Sequence, residues 1–238
     1  MSKTIKNCGE CKHVKINEII NIKTASCAIN DMIVPQYTET GKDIEFHRVP
    51  DNCPLKLPIY LDLETTGLDP IWDDVLEIAI IDHEEKVLLD TLVKPCFTTE
   101  WPDAQAINHI SPAMVQNAPM LKDISVQIKE IVQGRDVHIW NANFDTEFLE
   151  CLLNRVKTIN CAMTEYGQFI ERTQPQNKSQ SGRYKLINTA QDLGVTVEGD
   201  AHRAKHDVLK MIRIRKAYQK PGFNRTDLNG SVNVEPYK

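Results

Sequence analysis

Two acids one residue apart end an apolar run, Ile59-Tyr60-Leu61-Asp62-Leu63-Glu64-Thr65-Thr66-Gly67-Leu68. Ile, Tyr and Leu between Pro58 and Gly67 predict a short buried strand. Side chains alternate across a strand, which directs Asp62 and Glu64 to one face. Two carboxylates placed there repel each other, and each must be desolvated. A strand end emerging into solvent relieves that cost; so does a divalent cation held between the acids. Distant parts of the chain bear on the choice.

With 238 residues the chain can build one full-sized core and a small additional module. A formal charge of -5 argues against bulk attraction to a polyanion, so a nucleic-acid partner has to be held locally, by metal ions or a basic loop. No apolar run approaches the roughly 18 residues of a membrane span. The start, Met1-Ser2-Lys3-Thr4-Ile5-Lys6, lacks the apolar segment of a secretory signal. A cytoplasmic location without a membrane partner is expected. Seven cysteines suit thiols or metal ligands better than a secreted disulfide framework.

Residues 1–57 are expected to form a small cysteine-rich, zinc-binding module. Cys8-Gly9-Glu10-Cys11 has the form of a metal knuckle, with Gly9 permitting a tight turn between two thiolates. Cys27 and Cys53 follow at wider spacing, and four thiolates close a tetrahedral structural zinc site. His13 or His47 could replace one of them. The intervening residues are mostly polar, with Asn30-Asp31 and Thr40-Gly41 as turn signals. They lack the apolar mass for a core, so a metal would supply the folding energy. Cysteines that merely pack are the alternative. The module resembles small cysteine-rich zinc modules of phage and bacterial proteins, and nucleic-acid grip, protein docking and plain stability are all open as its task.

Residues 58–219 read as a second domain. Val75–Asp82 and Val87–Val93 predict two more strands, with a hairpin turn over residues 82–86 between them. Ser111-Pro112 predicts an N-cap followed by proline at the first helical position. Residues 121–132 carry apolar residues at helical spacing, with Gly134 ending the run. Asp136–Trp140 predicts a strand that meets Asn141-Ala142-Asn143-Phe144-Asp145. Beyond it Phe144, Phe148, Leu149, Leu152 and Leu153 form an apolar helical face. A final helix is expected from about Arg203 to Ala217. Strands first, then helices alternating with single strands, predict an α/β fold with a mixed sheet flanked by helices. Cys96, Cys151 and Cys161 are expected to be small core hydrophobes, and His83 and His138 to be structural.

Three segments then stand out together: Asp62-x-Glu64 on the first strand of this domain, Asn141-x-x-Phe144-Asp145 where a strand meets a helix, and His202-Arg203-Ala204-Lys205-His206-Asp207 opening the final helix. In order and spacing this set closely resembles the DEDDh group of DnaQ-like 3′–5′ exonucleases, which includes the proofreading epsilon subunit of DNA polymerase III. The resemblance covers Pro58 to about Tyr218. Glu64-Thr65-Thr66-Gly67-Leu68, Ala106–Ser111, and Lys185-Leu186 ahead of Leu193-Gly194 add to it. It implies a ribonuclease-H-like mixed five-stranded sheet.

The chemistry agrees with that resemblance. Phosphodiester hydrolysis needs a water made nucleophilic and a departing oxygen stabilised, and two divalent ions about 3.5–4 Å apart can do both. Magnesium and manganese prefer oxygen ligands, which Asp62, Glu64, Asp145 and Asp207 supply. By resemblance Asp62 bridges both ions, Glu64 and Asp207 complete one shell, and Asp145 orients the other site. His202, five residues before Asp207, is the implied general base; His206 is then a surface residue. Asp145 taken alone is equally readable as a helix N-cap. Thr65, Thr66, Leu68 and Phe144 are carried over as candidates for the terminal-nucleotide pocket.

Two positions depart from the family pattern. Asn108-His109-Ile110 stands where the family commonly has His-Gly-Ile at the turn touching the terminal nucleotide, and Asn108 can still hydrogen-bond a phosphate or sugar. Trp140 stands where His often precedes the Asn, a change expected to affect packing. Residues 172–191 contain no acid and carry Arg172, Lys178, Arg183 and Lys185. The polar stretch 174–182 within them either grips substrate phosphates or is a solvated loop. Residues 220–238 predict a polar tail.

The expected function is 3′–5′ hydrolysis of DNA, at single-stranded 3′ ends, with release of nucleoside 5′-monophosphates and a polymerase as a possible partner. An RNA 3′-end exoribonuclease with the same catalytic set is the nearest alternative. A zinc-ribbon adaptor with a residual nuclease domain is the rival from another class.

Overall fold

A computed structural model describes residues 57–173, 184–199 and 202–220, together with the backbone of four short strands nearer the start. The chain divides into two compact units, Met1–Leu57 and Pro58–Lys238. In the first, β1 (Val14–Ile19) pairs with β2 (Ile22–Cys27), and β3 (Tyr37–Thr40) with β4 (Asp43–Phe46), both antiparallel. Cys8, Cys11 and Cys53 lie outside the described residues, as do His13 and His47; of Cys27 only the backbone is described, at the end of β2. The expected tail beyond Lys220 also lies outside them.

The second unit follows the expected order. β5 (Ile59–Thr65), β6 (Val75–Asp82) and β7 (Val87–Leu92) come first. Then follow α1 (Pro102–Asn108), α2 (Pro112–Val115), α3 (Leu121–Val132), β8 (Asp136–Ile139), α4 (Ala142–Leu149), β9 (Thr158–Cys161), α5 (Ala162–Thr173), α6 (Leu186–Asp192) and α7 (Ala204–Tyr218). The sheet runs β7-β6-β5-β8-β9. β6 runs antiparallel to both of its neighbours, β5 and β7, whereas β8 and β9 join parallel to β5. This is the expected mixed five-stranded sheet, with the three-strand meander at one side.

β5 is the central strand, and its alternation divides the core. Ile59, Leu61 and Leu63 pack with Ile128 and Val132 of α3 and Leu149 of α4. Tyr60 packs on the opposite face with Tyr166 of α5, Ala190 of α6, and Val208 and Met211 of α7. Asp62 and Glu64 share the parity of Tyr60, so both turn toward the α7 side. All eight residues of β6 are buried, as a strand covered on both faces must be.

The local signals behave as their chemistry dictates. The Asp82 carboxylate accepts the N–H groups of Glu84 and Lys86 and forms the predicted hairpin turn. Gly134 takes the left-handed conformation just past α3, at φ +70°. Pro112 opens α2, but the Ser111 side chain makes no capping bond. His83 accepts or donates one hydrogen bond with the Tyr60 hydroxyl at 2.9 Å. His138 is buried between Arg215 and Glu165. Both are structural.

The cysteine expectation fails in part. Cys96 and Cys151 are exposed, and Cys161 is half-buried at the end of β9. Cys96 sits on a loop whose N–H bonds to a carboxylate rather than on an element facing the core. Cys151 follows the end of α4, where the chain has turned toward solvent. His206 is half-buried rather than on the surface: its ring lies so close to Gly199 that a Cβ there would collide with it. Among the described residues no helix is long and apolar enough to cross a membrane.

Candidate active site

β5 delivers Asp62 and Glu64 to the α7 side of the sheet, and Asp207 in the first turn of α7 meets them there. One carboxylate oxygen from each of the three lies within 4.8 Å of the others, and all three residues are half-buried. The β5–β6 ladder shifts register between Glu64 and Thr65, a bulge at the point where the strand leaves the sheet toward the site.

Asp145 arrives from the other side. β5 pairs with β8 only at Ile59 and Tyr60, which leaves the Leu63 N–H without a β8 partner. Asp145, in the first turn of α4, accepts that N–H through Oδ1 at 3.1 Å and is buried. It is therefore no N-cap; it ties α4 to the strand that carries the other acids. Asp145 lies outside the compact group of three, yet among the acids its charge acts most strongly on Asp62.

The electrostatics of Asp62, Glu64 and Asp145 follow from burial, with repulsion between acids adding to it at Asp62 and Glu64. Burial, then the charges of Asp145, Asp207, Glu64 and Glu77, push Asp62 well above the usual carboxylate range. Burial and the charges of Asp207, Glu77 and Asp145 push Glu64 up to about 8, against the opposing pull of Arg203. Burial pushes Asp145 up to about 7 despite the Leu63 N–H. Such a cluster binds either protons or cations at neutral pH. Its donors are all oxygen, which fits hard divalent ions such as Mg²⁺ or Mn²⁺.

Two neighbouring cations are already engaged. Lys210, one turn along α7, places Nζ 2.6 Å from Asp207 Oδ1. Arg203, the N-cap of α7, grips Glu77 of β6 with Nε at 3.0 and 3.1 Å and Nη2 at 2.6 Å. Glu77 also accepts the Ala204 N–H at 3.0 Å, so it caps a helix that has no side-chain cap of its own. Glu77 is the cross-strand partner of Glu64. The sequence carried one sign of this role, an acid inside the otherwise apolar Val75–Ile81 run, which a buried strand tolerates only with a partner.

His202 immediately precedes that N-cap. It is exposed and left-handed, at φ +58°, a conformation uncommon for a residue with a side chain. Trp140 is buried, and its Nε1 donates to the Tyr184 carbonyl at 2.9 Å, in accord with a packing role.

The candidate substrate contacts divide into two kinds. Thr65 and Thr66 are buried; Thr65 Oγ1 donates to the Gly67 carbonyl and Thr66 Oγ1 to Asp73. A Cβ at Gly67 would collide with the Asp73 carboxylate, which the Thr66 hydroxyl and the Asp69 N–H hold in place, so a side chain at 67 would have to displace that carboxylate. Asn108 is 2% exposed, accepts the Ile110 N–H and donates to the Thr65 carbonyl. Its amide supports this turn from inside. Leu68 is open to solvent, and Phe144 is half-buried with its ring 5.1 Å from that of Phe148. Of the basic residues, Arg172 is exposed near the end of α5 and Lys185 is the N-cap of α6. Lys178 and Arg183 lie outside the described residues, as does the polar stretch 174–182.

Comparisons with known proteins coincide with this geometry. The RNase_T family model, described as exonuclease, matches residues 59–214, from the start of β5 to within α7. A protein named uncharacterized exonuclease CP81, from Escherichia phage 186, is 34% identical over 180 residues, covering 69% of this chain and 89% of its own length. DNA polymerase III subunit epsilon of Treponema pallidum is 31% identical over 149 residues, covering 61% of this chain and 68% of its own. Among solved structures, E. coli Exonuclease I with a dA16 oligonucleotide aligns with a TM-score of 0.56 at 18% identity. That alignment covers 68% of this chain but 40% of the other, so the likeness is one of fold. The family match spans nearly the whole described second unit, and the phage relative aligns over most of its length. The chain therefore belongs to the RNase_T exonuclease family, as a hydrolase of the nuclease class.

Proposed function

We propose that the second unit is a 3′–5′ exonuclease that removes nucleoside 5′-monophosphates from DNA, acting at single-stranded 3′ ends, with two Mg²⁺ or Mn²⁺ ions as cofactors. The observation that carries this reading is the compact Asp62, Glu64 and Asp207 group with Asp145 beside it. Two divalent ions in such an oxygen cage supply water activation and stabilisation of the departing 3′ oxygen. The four acids would hold them, and the raised proton affinity of Asp62, Glu64 and Asp145 means that cation binding would displace protons.

His202 takes the proton of the attacking water as the new P–O bond forms and the bond to the neighbouring 3′ oxygen breaks. What supports this role is its place five residues before Asp207 and its left-handed backbone, a conformation that clusters at functional sites. Lys210 neutralises Asp207, a charge that a cation held by the acids would take over. Leu68 and Phe144 flank the terminal nucleotide, with Thr65, Thr66 and Asn108 shaping the turn beneath them.

DNA as substrate is supported by the names of the relatives, one a DNA polymerase subunit and one solved with an oligodeoxynucleotide. The same names support a replicative polymerase as partner. A structural zinc in the first unit is supported by the Cys8-Gly9-Glu10-Cys11 knuckle with Cys27 and Cys53, and metal analysis of the purified protein tests it. Incubation with Mg²⁺ and 5′-labelled single-stranded DNA, duplex DNA and RNA tests the activity. A ladder shortening from the 3′ end of DNA is expected. Release of internal fragments, or activity retained by Asp62→Asn, would refute it.

A further inference from the structure

Helix α7 and its N-cap are rich in lysine and arginine, and all but one of these spend their charge on acids outside the Asp62, Glu64, Asp145 and Asp207 set. Arg203 holds Glu77, Lys205 holds Asp90, Arg213 and Lys216 hold Glu85, and Arg215 holds Glu165. Lys210 is the exception: its Nζ stands 2.6 Å from Oδ1 of Asp207. Three residues apart on one helix, with the acid first, the two side chains are neighbours by construction. On a solvated helix such a pair contributes little. Here the side chains are only 12% and 16% exposed, whereas the lysines paired with Asp90, Glu85 and Asp136 are 36–64% exposed. Val208, Met211 and Ile212, packed in the core on either side, fix the face of α7 on which Lys210 stands.

The contact weighs directly on cation binding. One oxygen each from Asp62, Glu64 and Asp207 lies within 4.8 Å of the others, and the Lys210 ammonium already holds one of the two Asp207 oxygens. A divalent ion entering there meets a like charge at close range. Either it drives the ammonium off Oδ1 or it takes Oδ2 beside it, and both routes lower its affinity. In the cation-free protein the same ammonium offsets the repulsion among the acids. We propose that Lys210, a positioning residue acting through Asp207, sets the free divalent cation concentration at which the site fills. This deepens the exonuclease reading and rests on the cation site proposed there.

The probe is Mn²⁺ alone, titrated into the full chain without nucleic acid and followed by the electron paramagnetic resonance of the free ion. Lys210→Met, which keeps the stem and removes the charge, should bind Mn²⁺ about tenfold more tightly. Lys210→Arg should bind it as the parent does. Lys205→Met removes a charge from the same helix but from the Asp90 pair, and should shift the affinity less than about twofold. Melting in EDTA gives a second reading. Lys210→Met should lower the melting temperature of the cation-free protein, and Mn²⁺ should then stabilise the variant more than the parent. An unchanged or weaker Mn²⁺ affinity in Lys210→Met, or an equal gain in Lys205→Met or Lys210→Arg, would overturn the proposal. Mn²⁺ binding that Asp62→Asn leaves untouched would place the ion elsewhere and overturn it too. Weaker binding of a single-stranded oligonucleotide in Ca²⁺, with Mn²⁺ affinity unchanged, would make Lys210 a substrate contact instead. The titration needs no turnover, so the expected order of affinities without cleavage of any 3′ end would uphold Lys210 and sink the exonuclease reading alone.

Discussion

Glu77 and Arg203, 126 residues apart, form a bidentate ion pair that closes the gap between strand β6 and the N-terminus of helix α7. The pair sits beside Glu64 on one side and next to His202 on the other. Glu77 is buried and Arg203 about a quarter exposed, and the Ala204 N–H completes the carboxylate's shell. Helix α7 is thus anchored by a residue outside the compact Asp62, Glu64 and Asp207 group, and Asp207 is carried to the other acids by that anchor.

Removing one partner of a buried pair is costly because the other is left charged. Arg203→Ala should cost about 3 kcal/mol in urea unfolding, the low end of the usual range because Arg203 reaches solvent. Adding Glu77→Gln to Arg203→Ala should recover part of that loss. Strict additivity of the two in a double-mutant cycle would refute the coupling.

Raised carboxyl groups make the cation-free protein prefer acid. Asp62, Glu64 and Asp145 bind protons more tightly folded than unfolded. Their contribution is fully present below the unfolded values near 4 and is lost as pH rises through about 7 and 8. In EDTA the melting temperature should therefore fall between pH 5.5 and pH 8.5. Mg²⁺ should restore it most at the alkaline end. A pH-independent response to Mg²⁺ in scanning fluorimetry would contradict this.

The same repulsion predicts that loss of activity accompanies gain of stability. Asp62→Asn removes a carboxyl whose ionised form is opposed by burial and by the charges of Asp145, Asp207 and Glu64. It should abolish hydrolysis while raising the EDTA melting temperature by about 2–4 °C, corresponding to about 1 kcal/mol for a domain of this size. Calorimetry of the variant beside the parent checks the sign.

His202 offers a separation of backbone from chemistry. Glycine accepts a φ of +58° without the steric cost that a side chain incurs there. His202→Gly should stabilise the fold by about 1 kcal/mol and lower kcat about 10²–10⁴-fold, with KM little changed. His202→Gln, whose amide accepts no proton, should lower kcat to a similar extent. Near-normal turnover in that variant would remove His202 from proton transfer.

Much of the second unit was legible from its residues because each feature is local. Alternation along Ile59–Thr65 assigns Asp62 and Glu64 to one face whatever packs there, and apolar spacing marks Leu121–Val132 as a helix. The meander and the acids could be named in order from the sequence and from the family resemblance it carries. Other features depend on which atoms meet, and no spacing encodes that. Asn108 is drawn inside because its amide finds the Thr65 carbonyl, and Cys96 is left outside because its loop is pinned by Asp74. Glu77 finds Arg203, and Asp145 takes a strand N–H that β8 leaves unpaired. Such meetings are decided by tertiary packing, since a buried polar group is tolerated only where a partner from elsewhere in the chain satisfies it.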